Sequence, residues 1–209
     1  MAAEQQTAQE FWEAHYGGRE RVWSGRTNTV LVEMVDPLAP GTALDLGCGE
    51  GGDAVWLARR GWSVTAVDVS ATALGRVREL AAREGLAERV RVERHDLAES
   101  LPAGRFDLVS AQFLQSPLEF PRDRVLRAAA ERVAPGGLLL VVEHGSAPSW
   151  SWAHEHRFPT PREILDPLGL SPLQWRPERL DTPERVATGP NGETGTLVDV
   201  VVAVRLVAR

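Results

Sequence analysis

The stretch Asp45-Leu46-Gly47-Cys48-Gly49-Glu50-Gly51-Gly52 places four glycines within six residues between an apolar run and a helical one. Glycine gives up more conformational entropy on folding than any other residue, so such a cluster destabilises a turn that has nothing to bind. It lets the backbone turn sharply and approach a ligand closely, and the helix behind it offers free N–H groups and partial positive charge. The loop therefore calls for a strand on one side, a helix on the other and a ligand between them.

The flanking pattern meets that demand. Thr42–Leu46 predicts a buried strand, Gly52–Arg60 a helix stopped by Gly61, and Ser63–Val67 a second strand ending at Asp68. Ser70 caps a helix from Ala71 to about Glu84. Val90–Glu93 and Phe106–Ala111 read as strands three and four, Arg122–Val133 as a helix ended by Pro135-Gly136-Gly137, and Leu138–Val142 as strand five. Alternating strands and helices make a parallel sheet covered on both faces, and right-handed crossovers make it a doubly wound α/β fold. The tail departs from this rhythm. Pro161–Leu168 predicts a short helix and Leu173–Leu180 a strand. The β-branched run Thr196–Val207 closes a terminal antiparallel hairpin turned at Pro190-Asn191-Gly192. The first 40 residues predict two helices, Thr7–His15 and Thr27–Val35, as a cap. With no long linker, residues 1–40 and 41–209 belong to a single domain.

Composition narrows the partners. The chain has 209 residues, 43% of them hydrophobic and 25% charged, as in ordinary globular proteins. No apolar run approaches the roughly 20 residues of a membrane span, and MAAEQQTAQE lacks the basic start and apolar core of a signal peptide. One cysteine, Cys48, forms no internal disulfide, which suits a cytoplasmic setting. A net charge of −6 argues against a nucleic-acid backbone as partner.

The loop fits two templates: Gly47-x-Gly49-x-x-Gly52, a dinucleotide fingerprint, and Asp45-x-Gly47-x-Gly49-x-Gly51, a loop for S-adenosylmethionine. Asp68, 21 residues after Gly47, suits ribose hydroxyls under either. Asp96, past strand three, suits an adenine amino group, which the dinucleotide template does not require. Asp45 would repel a diphosphate and attract an α-ammonium group. An NAD(P)-dependent oxidoreductase remains the alternative, although the chain has one tyrosine and no lysine for a Tyr-x-x-x-Lys pair. A non-catalytic cofactor-binding protein is the third reading.

Through ALDLGCGEGGDAVWLA, VTAVDVS, RHDL, FDLVSAQFL and VAPGGLLLVV, the chain resembles the class I S-adenosylmethionine-dependent methyltransferases. FWEAHYGG and VWSGRTN resemble the small bacterial tellurite-resistance and thiopurine group. The resemblance implies a Rossmann-like sheet of seven strands, order 3-2-1-4-5-7-6 with strand seven antiparallel. It implies Gly47, Cys48 and Gly49 against the methionine part of the cofactor, Asp68 and Val69 at the ribose, and Asp96 with Leu97 at the adenine. It further implies Gln112 and Phe113 beneath the sulfonium, and Tyr16 and Trp23 as a cover. Many relatives carry a His after strand four; here Leu114-Gln115 stands there.

Methyl transfer relies on proximity and a dry pocket, with a base only for a protonated acceptor. His144, after strand five, is the one candidate base. Trp150 and Trp152 are candidates to close over a substrate. His154-Glu155-His156 lacks a metal-binding spacing, so no metal is expected. The expected partner is a small-molecule methyl acceptor, with the protein a monomer or homodimer.

Overall fold

The computed structural model describes residues 6–147, 157–188 and 192–208. Its sheet runs β3-β2-β1-β4-β5-β8-β6, with a further strand, β7, paired to β8. The first five strands, β1 (Thr42–Leu46), β2 (Ser63–Asp68), β3 (Val90–Arg94), β4 (Phe106–Gln112) and β5 (Val133–His144), are parallel. β8 (Thr194–Leu206) lies antiparallel between β5 and β6 (Trp175–Asp181). This is the order anticipated above, with one strand added.

Alternation along each strand splits the core in two. Ala43, Leu108, Leu138 and Leu140 face α2 (Thr29–Val35), α3 (Gly52–Arg59) and α4 (Ala71–Arg83). Leu44, Leu46, Val109, Leu139 and Val141 face α5 (Arg122–Ala130) and α6 (Pro161–Leu165). Both faces are covered, so the central strands are largely apolar, with Asp45, Ser110 and Glu143 as buried polar exceptions. Truncating a fully buried leucine such as Leu44 costs about 2–5 kcal/mol.

Each helix begins on a specific bond. Thr7 and Glu10 form a reciprocal capping box on α1 (Ala8–Gly17). The Asn28 side chain accepts from the Val30 and Leu31 amides, so α2 starts at Thr29 rather than Thr27. Ser70 caps α4 through the Ala73 amide. No side chain caps α3: Gly51 occupies that position at φ 85°, leaving the helix N-terminus to the loop.

Two expectations are corrected. The helix predicted to reach Val133 ends at Ala130, because Arg132 accepts from the Phe106 amide and Val133 pairs with Phe106 as the start of β5. The sheet hydrogen bonds outcompete one more helical turn. His144, expected beyond strand five, is its last residue, opposite Asp199 of β8. The predicted turn residues Pro190 and Asn191 lie outside the described residues. The arm that precedes them is β7 (Glu184–Thr188), a strand the sequence reading missed. β8 pairs with β5 and β6 through its C-terminal half and with β7 through its N-terminal half. The β7–β8 hairpin thereby extends past the carboxyl ends of the parallel strands.

Candidate functional site: a cavity at the carboxyl edge

At the carboxyl edge the glycine loop is held open by its own backbone. Gly47, Gly49 and Gly51 have φ of 67°, 51° and 85°, a left-handed region that side chains disfavour. The Cys48 amide donates to the Val67 carbonyl and the Gly51 amide to the Cys48 carbonyl, both at 2.9 Å. Burial pushes the Cys48 thiol up, so it stays protonated.

Asp68 fastens this loop to the end of β2. One carboxylate oxygen accepts from the Gly49 amide at 3.0 Å, the other from the Ser70 amide at 2.9 Å. Burial nevertheless raises its pKa. Asp45 is 2% exposed and its Oδ2 has no partner among the described residues. Burial, then Asp53 and Asp68, raise it well above the usual carboxylate range. Burial pushes Asp53, in the first turn of α3, up to about 6. Three carboxyl groups thus crowd around one loop, and among the described residues the buried Asp45 Oδ2 has no partner.

The roof comes from the N-terminal segment, held down by three carboxylates. Glu13 of α1 accepts from Ser70 Oγ at 2.7 Å and from the Thr72 hydroxyl at the start of α4. Glu50, within the glycine loop, accepts from the Val22 and Trp23 amides and pairs with Arg76 at 2.6 Å. Asp53 accepts from the Asn28 amide at 2.8 Å. Trp23 Nε1 donates to the Tyr16 hydroxyl at 3.0 Å. A methyl group on Gly49 would stand 3.1 Å from that hydroxyl, so the roof presses directly on the loop.

At the far end Phe113 sits at φ 52°, a strained value for a bulky residue. Its amide donates to the Val142 carbonyl at 2.7 Å, and its ring stacks on His144 at 4.3 Å. Gln112 Nε2 donates to Ser110 Oγ at 2.8 Å, while its buried Oε1 is unpartnered among the described residues. Leu114, standing where relatives carry a His, packs against Gly47. Burial lowers the His144 pKa, as does Arg185, while Asp199 opposes the shift.

These parts enclose a cavity of about 800 Å³. Tyr16, Trp23, Asp45, Gly47, Cys48, Gly49, Asp68, Val69, Asp96, Leu97, Gln112, Phe113 and His144 all line it. Glu50, Asp53, Glu119 and Arg185 also line it and were not foreseen. Trp150, Trp152 and His154–His156 lie outside the described residues. No group of three or more metal-ligating side chains occurs among the described residues.

Residues 43–137 match the family described as "Methyltransferase domain". Through this segment the chain is similar to the class I S-adenosylmethionine-dependent methyltransferases. It is 37% identical over 118 residues to ribosomal RNA small subunit methyltransferase C of Alcanivorax borkumensis, a match covering 54% of this chain and 35% of that one. The chain thus spans about a third of that relative's length. A structure solved for the conversion of a disulfide bond into a thioacetal group during echinomycin biosynthesis superposes with a TM-score of 0.71 at 25% identity, covering 95% of this chain and 93% of that one. TehB from Haemophilus influenzae shares the fold, with a TM-score of 0.70 at 17% identity, covering 93% of this chain and 66% of TehB.

The cofactor of this family is S-adenosylmethionine, and the residues present fit it. An ammonium group matches the unpartnered Asp45 oxygen, a positively charged ligand offsets the crowded carboxylates, and the glycine cradle has no Cβ to obstruct it. A diphosphate would meet those same carboxylates with like charge.

Proposed function

We propose that this methyltransferase transfers a methyl group from S-adenosylmethionine to a small, partly apolar acceptor. When bound, the cofactor supplies an electrophilic methyl carbon, and its bond to sulfur breaks as the bond to the acceptor forms. The observation that carries the reading is the buried, unbonded Asp45 oxygen beneath the glycine loop, a costly arrangement unless a cationic donor arrives. In this reading Asp45 takes the ammonium group, Asp68 and Val69 the ribose, and Asp96 and Leu97 the adenine. Gly47, Cys48 and Gly49 follow the methionine chain. Tyr16 and Trp23, in the N-terminal cap, exclude water. Gln112 and Phe113 bound the reacting end, with His144 as its base.

The acceptor is proposed to be small because the cavity has about 800 Å³ for cofactor and acceptor together. The RNA substrate in one relative's name is not carried over, because a chain of net charge −6 lacks the basic surface an RNA backbone needs. The reading includes a cytoplasmic monomer or homodimer that works without a metal ion. Calorimetric titration with S-adenosylhomocysteine and with NAD tests the first part. Tight NAD binding with no response to S-adenosylhomocysteine would remove it. A panel of thiols, phenols and amines with labelled cofactor tests turnover, and chelator-sensitive turnover restored by one specific divalent ion would remove the metal-free clause.

A further inference from the structure

Beyond the cofactor end, His144 and Arg185 line the cavity, and Asp199 stands behind them, outside its lining. Asp199 is 2% exposed. Its Oδ2 accepts from Arg185 Nε at 2.7 Å, and its Oδ1 is buried without a partner among the described residues. A buried carboxylate oxygen left unbonded loses the solvation a charged acceptor has in water and gains nothing in return. Asp199 lies directly opposite His144 in the β5–β8 ladder, so both side chains leave the same face of the sheet. The charged groups facing His144 are Asp199 from β8 and Arg185 from β7; the turn after β4 contributes the uncharged Phe113 ring. That ring stacks on the imidazole, and the Arg185 guanidinium lies 5.7 Å from the ring centroid.

From this arrangement we infer that Asp199 is a positioning residue: its free Oδ1 takes a ring N–H of His144 while Arg185 holds its other oxygen. The second ring nitrogen then faces the cavity as base for an acceptor that arrives protonated. The inference rests on the transferase reading above and narrows it to acceptors bearing a hydroxyl or N–H at the methylated atom. The acceptor's proton passes to that nitrogen as the acceptor lone pair is committed to the new bond to carbon. The imidazolium so formed lies beside the Asp199 carboxylate and afterwards returns its proton to solvent. Arg185 pairs with Asp199, and its own positive charge disfavours protonation of His144 before the acceptor enters.

The test is a histidine titration by NMR on the full chain with S-adenosylhomocysteine, with His144 assigned by its loss in His144→Gln. Removing the Asp199 charge in Asp199→Asn should lower the His144 pKa by about one unit, and Arg185→Gln should raise it. A merely structural role would not move the two variants in opposite directions. If Asp199→Asn fails to fold, Arg185→Gln decides alone. An unchanged His144 pKa in the folded variants overturns the inference. Failure of the wild type to bind S-adenosylhomocysteine overturns instead the reading on which it rests.

Discussion

Glu50 and Arg76 form an ion pair at 2.6 Å in which Glu50 is 5% exposed in its side chain and Arg76 23%. The same Glu50 carboxylate takes the amides of Val22 and Trp23, and Arg76 donates to the backbone carbonyls of Tyr16 and Arg19. Two side chains thus clamp the N-terminal segment over the glycine loop. Arg76→Met leaves the Glu50 charge without its counterion and should cost about 3–5 kcal/mol, whereas Glu50→Gln, which keeps an acceptor, should cost less. Urea denaturation of the two variants checks the order, and equal losses would contradict it.

Asp68 has work to do before any ligand arrives, because it holds the Gly49 and Ser70 amides. Asp68→Ala should weaken S-adenosylhomocysteine binding by roughly 2–3 kcal/mol through lost charge-assisted bonds to the ribose and a loosened loop. Calorimetry reads this directly, and an unchanged affinity would remove Asp68 from the site.

Gly49→Ala should act on two parts at once. At φ 51° a side chain costs about 1–2 kcal/mol, and its methyl would press on Tyr16 and Trp23. The variant should remain folded with a displaced roof, visible as a change in Trp23 fluorescence and a weaker response to cofactor. Wild-type emission and affinity would show that the roof does not rest on Gly49.

Asp53 links stability to pH. Its pKa is raised in the folded chain to about 6, from 3.8, so the neutral form is favoured. Its contribution is fully present below about pH 4 and is lost as pH rises through about 6. Asp53→Asn keeps an acceptor for the Asn28 amide and should stabilise the apo protein by up to about 3 kcal/mol at pH 7.5, with little effect at pH 4. A cationic ligand reverses the sign, so wild-type affinity for S-adenosylhomocysteine, which keeps the ammonium group, should climb between pH 5 and 7. Thermal melts with and without ligand across that range check both statements.

The sheet from β1 to β5 was readable because its strands are apolar runs bounded by glycine and capping residues, signals that act over a few positions. β7 was not: Glu184, Arg185 and Thr188 give Glu184–Thr188 a polar character, and it is a strand because β8 offers it hydrogen bonds. The end of α5 was misplaced for a similar reason, since Ala128 to Ala130 are good helix formers and only the pairing of Val133 with Phe106 draws the chain away. Within the site, the glycines and Asp45, Asp68 and Asp96 stood in a local motif. Glu50 lay inside that motif yet passed as filler, because its partners Val22, Trp23 and Arg76 are 26 to 28 residues away. Arg185 and Asp199 belong to no motif, and only the register of β8 brings them to His144.

That thirteen-residue strand ties substrate choice to the reading frame of the core. Val200 to Val204 are buried between the two neighbouring strands, and Thr194 to Val198 carry the outer hairpin in the same unbroken alternation. The cavity wall therefore cannot swing independently like a flap. One residue inserted between Asp199 and Val200 would leave the apolar half seated and turn the outer half over, exchanging the faces on which Asp199 and its hairpin partners stand. In such a chain the chemistry would be lost before the fold.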